Sequence, residues 1–435
     1  MKKLLVLQFF TLLILYATSQ ESDFLKFLQS EPDIQSIEKI EGNDIFSESY
    51  KIMFRQPVDH SDPSAGYFNQ RIFVSHISKE APVVLITEGY VAAQAHRSAY
   101  ASEPARLLGA NQVDVEHRYF GESWPENIGW QYLTVANAAA DHHRITGLFK
   151  KYYSGKWVNT GISKGGQTAM YHRAFYPDDV DVTLAYVGPL NFGVEDGRHE
   201  PFIANVPGTA EQRAQIEKIQ TEVLKRKKVL FPRFLEEVQS KNFTFRLPIT
   251  EIYDYCVLEY PFAFWQYGIN PEQLPSPEAP DSVLYKHLFG ISSPDYMAIE
   301  SMARIKSFYV QAARELGYYG YDTKPFKKYL DVKSAKGYLS KIFLPEGMKI
   351  KYNKATMQKV QEFLDTTDKN MIFIYGEFDP WSATAVEVPE KPNLLKIVNP
   401  GGAHSSRIGN LPDDLKEKVL EKLEMWMEVP AEVNQ

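Results

Sequence analysis

Cysteine is nearly missing from this sequence, because Cys256 is the only one among its 435 residues. One cysteine cannot close a disulfide within the chain, so a packed core has to supply the stability. Tyr253, Tyr255 and Val257 give Cys256 a largely apolar and aromatic setting, which favours a buried, inert thiol over a nucleophile. We expect neither a metal nor another cofactor.

An excess of positive charge is also lacking, since the 55 acidic side chains outnumber the 48 basic ones and the net charge is −7. Without a broad positive field, the surface is poorly suited to nucleic acid or to an anionic membrane. The composition, 44% hydrophobic and 13% aromatic, is that of a globular protein with a large core. These figures exclude nucleic acid as a partner and leave the oligomeric state open.

Long hydrophobic runs are missing beyond the N-terminus. Residues 4–16 form one such run, preceded by Lys2-Lys3 and followed by Ala17-Thr18-Ser19. The run is shorter than the ~20 residues needed to span a bilayer, and small residues follow it at the positions a signal peptidase reads. We therefore predict a signal peptide over residues 1–19, export to the periplasm or the extracellular space, and no stable membrane association after its removal.

Several short apolar segments have the character of strands buried on both faces of a sheet. They lie at residues 82–86, 113–116, 182–187, 371–375 and 394–398, and a further apolar run that ends at Trp157-Val158 begins a short strand into Ser163. Helix-like segments separate most of them, which predicts a mostly parallel, doubly wound α/β sheet.

The sheet pattern is interrupted between residues 192 and 366, where no buried strand is apparent and a capping box at Thr209 opens a long amphipathic helix. We predict a hydrolase-type domain in two parts, residues 20–191 and 367–435, with an inserted, mainly helical cap over residues 192–366.

Three local patterns give further predictions. Residues 23–39 have the apolar spacing of a helix, and residues 49–56 and 70–77 form a hairpin. His60 lies in the polar turn of that hairpin, and a turn explains its aspartate neighbours better than a metal site does. The pair His142-His143 has charged neighbours, which favours a solvated helix face.

Ser163 stands between the glycines Gly161, Gly165 and Gly166, after a strand and before a helix. A serine hydroxyl is a weak nucleophile at neutral pH and needs a base, an acid that orients the base, and donors for the oxyanion. The glycines permit the tight strand-to-helix turn that raises a nucleophilic serine above a sheet edge. A Gly-x-Ser-x-Gly pattern is common by itself. Whether Ser163 is a nucleophile therefore depends on whether the chain also supplies a base and an acid.

Asp379 and His404 supply those partners, because each follows a predicted buried strand near the C-terminus. The carboxyl ends of parallel strands meet at one edge of a sheet, where α/β proteins build their sites. The order serine, aspartate, histidine is that of the α/β-hydrolases, and the inserted cap explains the long first gap. Glu377 competes with Asp379 for the acid role, and we prefer Asp379 because it lies further into the loop.

The oxyanion donors of this fold are backbone N–H groups. One belongs to the residue after the nucleophile, Lys164, and the other comes from the loop after an earlier strand, where Tyr90 follows Gly89. Because a backbone donor leaves the side chain free, we expect the Lys164 side chain to point to solvent.

Five ordered motifs now resemble a known family: residues 88–90, 116–123, 161–166, 375–381 and 402–404. They are similar to those of the secreted bacterial serine tripeptidyl aminopeptidases, relatives of the lysosomal prolyl carboxypeptidases and dipeptidyl peptidases. The similarity extends from about Ser49 to the C-terminal helix.

The resemblance implies a Ser-His-Asp exopeptidase that removes tripeptides from free N-termini of peptides, often after proline, with Ser163, Asp379 and His404 as its triad. Such an enzyme has to hold the substrate ammonium group with carboxylates. Glu195 and Asp196 resemble the family's acidic segment and are our candidates, with a solvated loop as the alternative.

The segment 262–267 is rich in aromatic residues and gives a candidate slot for a proline ring. We assign Trp265 and Tyr267, together with Glu88, to the substrate pocket, although core packing explains the aromatic residues equally well. Alternative functions are a dipeptidyl or prolyl carboxypeptidase-like exopeptidase, an esterase or lipase on the same fold, and a non-catalytic binding protein.

Overall fold

The structure is a computed structural model that describes residues 21–41, 44–95, 97 and 100–430. The predicted signal peptide lies outside the described residues. Among those described, no helix combines the length and the apolar character that crossing a membrane requires.

Nine strands in the described part of the chain form one sheet in the order β1-β2-β3-β5-β4-β6-β7-β8-β9. Strands β1, β2, β3 and β5 pair with one another antiparallel, in that order. Strands β5, β4, β6, β7, β8 and β9 pair parallel, again in that order. The strands are β1 Ile34–Ile40, β2 Glu48–Pro57, β3 Tyr67–His76, β4 Val83–Thr87, β5 Asn111–Val115, β6 Trp157–Ile162, β7 Val182–Tyr186, β8 Asn370–Gly376 and β9 Leu394–Asn399.

Helices cover both faces of this sheet. They are α1 Asp23–Ser30, α2 Glu103–Leu108, α3 Val135–Phe149, α4 Lys164–Phe175, α5 His199–Asn205, α6 Ala210–Lys225, α7 Lys227–Ser240, α8 Ile249–Gln266, α9 Asp281–Ile291, α10 Ile299–Met302, α11 Lys306–Gln311, α12 Ala355–Thr366 and α13 Asp413–Met427. Successive residues of β4 point to opposite faces: Val84 packs with α2 and α13, whereas Val83 packs with α1 and α3. The chain therefore has the α/β-hydrolase fold.

The chain between β7 and β8 contains α5 to α12 and no strand in this fully described stretch. Helices α6 to α9 build a separate apolar core around buried Phe234, Tyr253 and Cys256. By contrast, α12 packs Met357 and Val360 with the core beside α4. The exact bounds of the predicted cap remain a prediction, but α12 is packed as part of the sheet layer.

Two predictions in the N-terminal region meet different outcomes. The hairpin is confirmed, because β2 and β3 pair antiparallel in continuous register. The helix predicted over residues 23–39 is wrong beyond Ser30: Pro32 disfavours a helical conformation at Glu31, and residues 34–40 form β1 on the edge of the sheet. Pairing with β2 outweighed a local helical spacing.

The solvated face predicted for His142-His143 is right for only one of the two residues. His143 is half exposed and pairs with Asp179, but His142 is 1% exposed and its Nδ1 lies 2.7 Å from the Ala138 carbonyl. Burial lowers the pKa of His142 to about 3, so the ring is neutral. The helix is covered on the side that carries His142.

Arg118 and Asp141 form a fully buried ion pair beneath the loop that follows β5. Two guanidinium nitrogens of Arg118 donate to the carboxylate at 2.6 Å each, and His60 Nε2 lies 2.7 Å from it. Although burial opposes ionisation, Arg118 lowers the pKa of Asp141 below its ordinary value. His60 thus stays in its turn, as predicted, but it also contacts this pair.

We predict that Asp141→Ala lowers the free energy of unfolding by about 3–5 kcal/mol, because it leaves the Arg118 guanidinium buried without its carboxylate. Denaturant unfolding followed by circular dichroism measures the change. Lys26→Ala, which removes an exposed pair with Asp23, is the control and should cost less than about 1 kcal/mol. Equal losses for the two variants would contradict this role of the buried pair.

Candidate active site

The parallel strands β4, β6, β7, β8 and β9 end at the same edge of the sheet. Their register pairs Ile162 of β6 with Tyr186 of β7, and Gly376 of β8 with Asn399 of β9. The loops that carry Tyr90, Ser163, Asp379 and His404 all leave from this edge. The topology therefore brings together the candidate residues that the sequence separates widely.

Ser163 lies in a sharp turn between β6 and α4, with φ 59° and ψ −120°. This conformation is costly for a residue that carries a Cβ and recurs at functional sites. Close packing explains the flanking glycine at position 161, since a Cβ there would lie 2.2 Å from the Gly165 carbonyl oxygen. Ser163 N donates to the Tyr186 carbonyl at 2.9 Å and anchors the turn to β7.

Asp379 and His404 are in direct contact. His404 Nδ1 lies 2.7 Å from Asp379 Oδ2, and the other carboxylate oxygen accepts a hydrogen bond from Trp381 N at 3.1 Å. Asp379 is fully buried, whereas the His404 side chain is 17% exposed. The carboxylate thus fixes one ring nitrogen and leaves Nε2 for another partner.

Glu377, the competing acid, is exposed and points elsewhere. Its Oε2 accepts a hydrogen bond from Gly401 N at 2.7 Å, which shapes the loop before His404. The structure therefore sets Asp379 rather than Glu377 against the imidazole.

The loop that carries His404 folds back across the sheet edge toward β7. Phe378 N donates to the Gly402 carbonyl at 2.8 Å, and the Arg407 guanidinium lies 5.4 Å from the centre of the Tyr186 ring, at the end of β7. His404 N donates to the Gln266 carbonyl at 3.2 Å, so the last turn of α8 supports the loop from above. In the described part of the chain Ser163 Oγ has no hydrogen-bond partner, so its contact with His404 belongs to the proposal below.

Tyr90, Ser163 and Lys164 line one small pocket together with Phe308 and Trp381. Trp381 and Phe308 were given no role by sequence reasoning. Trp381 could have been noticed, because it follows Asp379 by two residues, but Phe308 lies on α11 of the insertion, and only the folded chain brings it here.

The two residues that carry the predicted oxyanion donors both line this pocket. Lys164 is the first residue of α4, where a backbone N–H has no partner within the helix. Tyr90 N likewise donates to no acceptor among the residues that the structure describes. Two free N–H groups beside a serine are what an oxyanion requires.

The Lys164 side chain does not point to solvent, and that prediction is wrong. Lys164 is 3% exposed, and its Nζ donates to the Gly89 carbonyl at 2.6 Å. Burial lowers the pKa of the ammonium well below its ordinary value, opposed by the Glu88 carboxylate. The turn before α4 directs the side chain under the loop of Gly89 rather than outward.

Glu88 lies with this buried lysine rather than among the residues that line the pocket around Ser163. Burial first, and the neighbouring Glu116 carboxylate second, raise the pKa of Glu88 to about 7. Glu116 in turn accepts hydrogen bonds from Glu122 N and Ser123 N, which folds the loop after β5. The motif at residues 116–123 is therefore a structural support for the site.

The two acidic candidates for the substrate amine have different surroundings. Both Asp196 oxygens accept hydrogen bonds from Arg198, and one also accepts from Phe192 N at 2.8 Å. Glu195 accepts a hydrogen bond from Gly337 N. Asp196 is thus already paired with a cation, whereas no positively charged side chain in the described ranges forms an ion pair with Glu195.

Glu200 and Asp322 extend the acidic group around Glu195. Burial raises the pKa of Glu200, and the carboxylates of Asp322 and Glu195 act in the same direction. Glu200 Oε2 is buried without a hydrogen-bond partner. Sequence reasoning missed Glu200 because it is the second residue of the short helix α5, with nothing local to distinguish it.

A cavity of about 430 Å³ adjoins these carboxylates inside the helical insertion. Glu200 and Asp322 line it, as do Trp265 and Phe262 of α8. Phe262 also packs edge-to-face on Trp381 at 5.2 Å between ring centres, so one aromatic layer separates this cavity from the pocket around Ser163. Tyr267, the other predicted pocket aromatic residue, is 65% exposed and does not line either space.

Fold and site together define a hydrolase of the serine peptidase class. The chain belongs to the PS-10 peptidase S37 family, whose model matches residues 21–435. It is 32% identical over 400 residues to the prolyl tri/tetrapeptidyl aminopeptidase of Streptomyces mobaraensis, covering 89% of this chain and 82% of that relative.

More distant similarities reach other peptidases. The chain is 27% identical over 201 residues to the prolyl carboxy peptidase like protein 5 of Caenorhabditis elegans, which covers 42% of this chain and 39% of that protein. Among solved structures, the proline iminopeptidase of Mycobacterium smegmatis aligns with a TM-score of 0.40 and 14% identity, over 90% of this chain and 99% of that one.

Proposed function

We propose that this protein is an exported serine exopeptidase that releases tripeptides from free N-termini, with a preference for cleavage after proline. The observation that carries the proposal is the 2.7 Å contact between His404 Nδ1 and Asp379 Oδ2 at the sheet edge where Ser163 occupies its strained turn. The family and the relative from Streptomyces mobaraensis support the substrate class.

The reaction follows from the roles of three side chains. Ser163 Oγ attacks the carbonyl of the third substrate residue while His404 Nε2 takes its proton, and the N–H groups of Tyr90 and Lys164 stabilise the oxyanion. The imidazolium then protonates the leaving amine, which leaves an acyl-enzyme on Ser163. Water hydrolyses that ester with the same imidazole as base, and Asp379 holds the ring throughout.

Substrate selection is assigned to two groups of residues. The aromatic walls of Trp381 and Phe308 beside Ser163 suit a proline ring. The carboxylates of Glu195 and Glu200 suit the ammonium group at the other end of the tripeptide, because a cation there would offset their mutual repulsion. Amine anchoring sets how many residues lie between the N-terminus and the nucleophile.

Blocking the substrate amine tests this anchoring. We expect N-acetylation of Ala-Ala-Pro-p-nitroanilide to lower kcat/KM by about 10- to 150-fold, as losing a hydrogen bond to a charged group would. In the same assay Glu200→Gln should raise KM for the free peptide only, and Glu236→Gln, an exposed position on α7, should change nothing. Equal turnover of free and acetylated reporters would refute the anchoring.

Reporters of other lengths separate the alternatives. Faster release from a dipeptidyl reporter would indicate a dipeptidyl peptidase, and cleavage of a C-terminal residue would indicate a carboxypeptidase-like enzyme. Hydrolysis of short acyl nitrophenyl esters far faster than any peptide would favour an esterase.

A further inference from the structure

The proposed reaction uses the backbone N–H of Lys164 but not its buried side chain. Its Nζ donates to the Gly89 carbonyl at 2.6 Å and lies 5.6 and 5.2 Å from the ring centres of Tyr90 and Phe120. No carboxylate in the described ranges lies within ion-pair distance of it, and the Glu88 carboxylate acts on it only as a neighbouring charge. Burying the amino group of a lysine is costly, and an apolar side chain of the same length would fill the space at lower cost.

The Lys164 amino group donates a hydrogen bond to one peptide group, the one between Gly89 and Tyr90. The Gly89 carbonyl and the Tyr90 N–H belong to the same planar trans peptide, so they point in opposite directions. Lys164 holds the carbonyl from beneath, and the N–H is thereby directed away from the ammonium. On the following peptide, His117 N donates to the Tyr90 carbonyl at 3.1 Å and fixes the other side of Tyr90.

Close packing makes the contact possible. A Cβ at position 89 would lie 2.6 Å from Lys164 Cβ and 2.7 Å from Gly165 N, so the loop can approach the start of α4 only with glycine there. Tyr90 and Lys164 both line the pocket of Ser163. The hydrogen bond from Lys164 Nζ to the carbonyl oxygen also polarises the peptide, which strengthens its N–H as a donor.

We infer that Lys164 is a positioning residue for the oxyanion hole: its side chain orients and polarises the Gly89-Tyr90 peptide, while its own backbone N–H supplies the second donor. This inference rests on the proposed function, because it presumes that an oxyanion forms on attack by Ser163. It extends that function by giving the side chain of the residue after the nucleophile a task of its own.

The experiment measures the oxyanion directly. A tripeptidyl trifluoromethyl ketone ending in proline, with ¹³C at the ketone carbon, accepts Ser163 Oγ at that carbon while the hydroxyl proton passes to His404. The product is a hemiketal whose oxygen occupies the oxyanion hole, and a ¹³C NMR titration reports the pKa of that oxygen.

Lys164→Met is expected to raise the hemiketal pKa by at least about one unit and to lower kcat about 10- to 100-fold, with KM within about 2-fold. Lys369→Met, which removes a lysine paired with Asp178 at 2.8 Å on the surface, should leave both values unchanged. Should Lys164→Met fail to fold, Lys164→Leu, which likewise removes the donor to the Gly89 carbonyl, carries the same measurement.

The outcomes separate this inference from the proposed function. A wild-type protein that forms no hemiketal would overturn the proposed function itself. A wild-type hemiketal with an unchanged pKa in the folded Lys164 variant, accompanied only by a lower melting temperature, would show a merely structural lysine and overturn the inference.

Discussion

Replacing Ser163 by alanine is expected to lower kcat for a prolyl tripeptide reporter by about 10⁴- to 10⁶-fold, the loss that follows removal of a nucleophile. In the proposed acyl-enzyme, the ester bond is formed by Ser163 Oγ. Alanine has no atom that can form this bond. Alanine retains the Cβ and hence the same backbone cost at φ 59°, so the melting temperature should stay close to that of the wild type.

Covalent labelling provides the second measurement for this variant. A fluorophosphonate should label the wild-type protein once and should not label Ser163→Ala. Ser240→Ala, at the exposed end of α7, is the matched control and should keep both labelling and turnover. Substantial activity in a folded Ser163→Ala protein would mean that another group is the nucleophile.

The parts of the site that sequence could predict are those tied to buried parallel strands. Such strands are continuous apolar runs, and the residues that follow them share one edge of the sheet. The sequence therefore predicts, without any knowledge of distances, that Ser163, Asp379 and His404 lie at one edge of the sheet. The contact of Asp379 rather than Glu377 with the imidazole agrees with the preference for the residue further into the loop.

The parts that could not be predicted depend on what covers a residue after folding. Nothing local shows that Lys164 turns under Gly89, or that His142 is covered while its neighbour His143 is not. A lysine or a histidine in a polar sequence context usually lies on the surface, because burying a charge is costly. Residues that break this rule can be recognised only from the packed structure.

The acidic residues at the start of the insertion show the same limit. Asp196 resembles a free carboxylate in the sequence, but Arg198, two residues later, folds back on it. Glu200 has no distinguishing neighbours in the chain, yet it joins Glu195 beside the cavity of the insertion. A tertiary arrangement of loops therefore decides which carboxylates can receive a cation.

Replacing Asp379 by asparagine should lower kcat about 10³- to 10⁴-fold while leaving the fold unchanged. The carboxylate accepts from His404 Nδ1 at 2.7 Å and from Trp381 N at 3.1 Å. An asparagine oxygen can keep the second contact, but its amide nitrogen facing Nδ1 favours the tautomer in which Nε2 carries the hydrogen and cannot take a proton from Ser163.

Glu377→Gln is the matched control for this variant, because it neutralises the competing carboxylate in the same loop. Its oxygen can still accept from Gly401 N, so kcat should stay within about 3-fold of the wild type, as for a surface hydrogen bond of ~0.5 kcal/mol. A larger loss for Glu377→Gln than for Asp379→Asn would assign the acid role to Glu377. A much larger loss of kcat for Asp379→Asn than for Glu377→Gln would mean that catalysis depends on the buried Asp379 carboxylate, which orients the His404 imidazole.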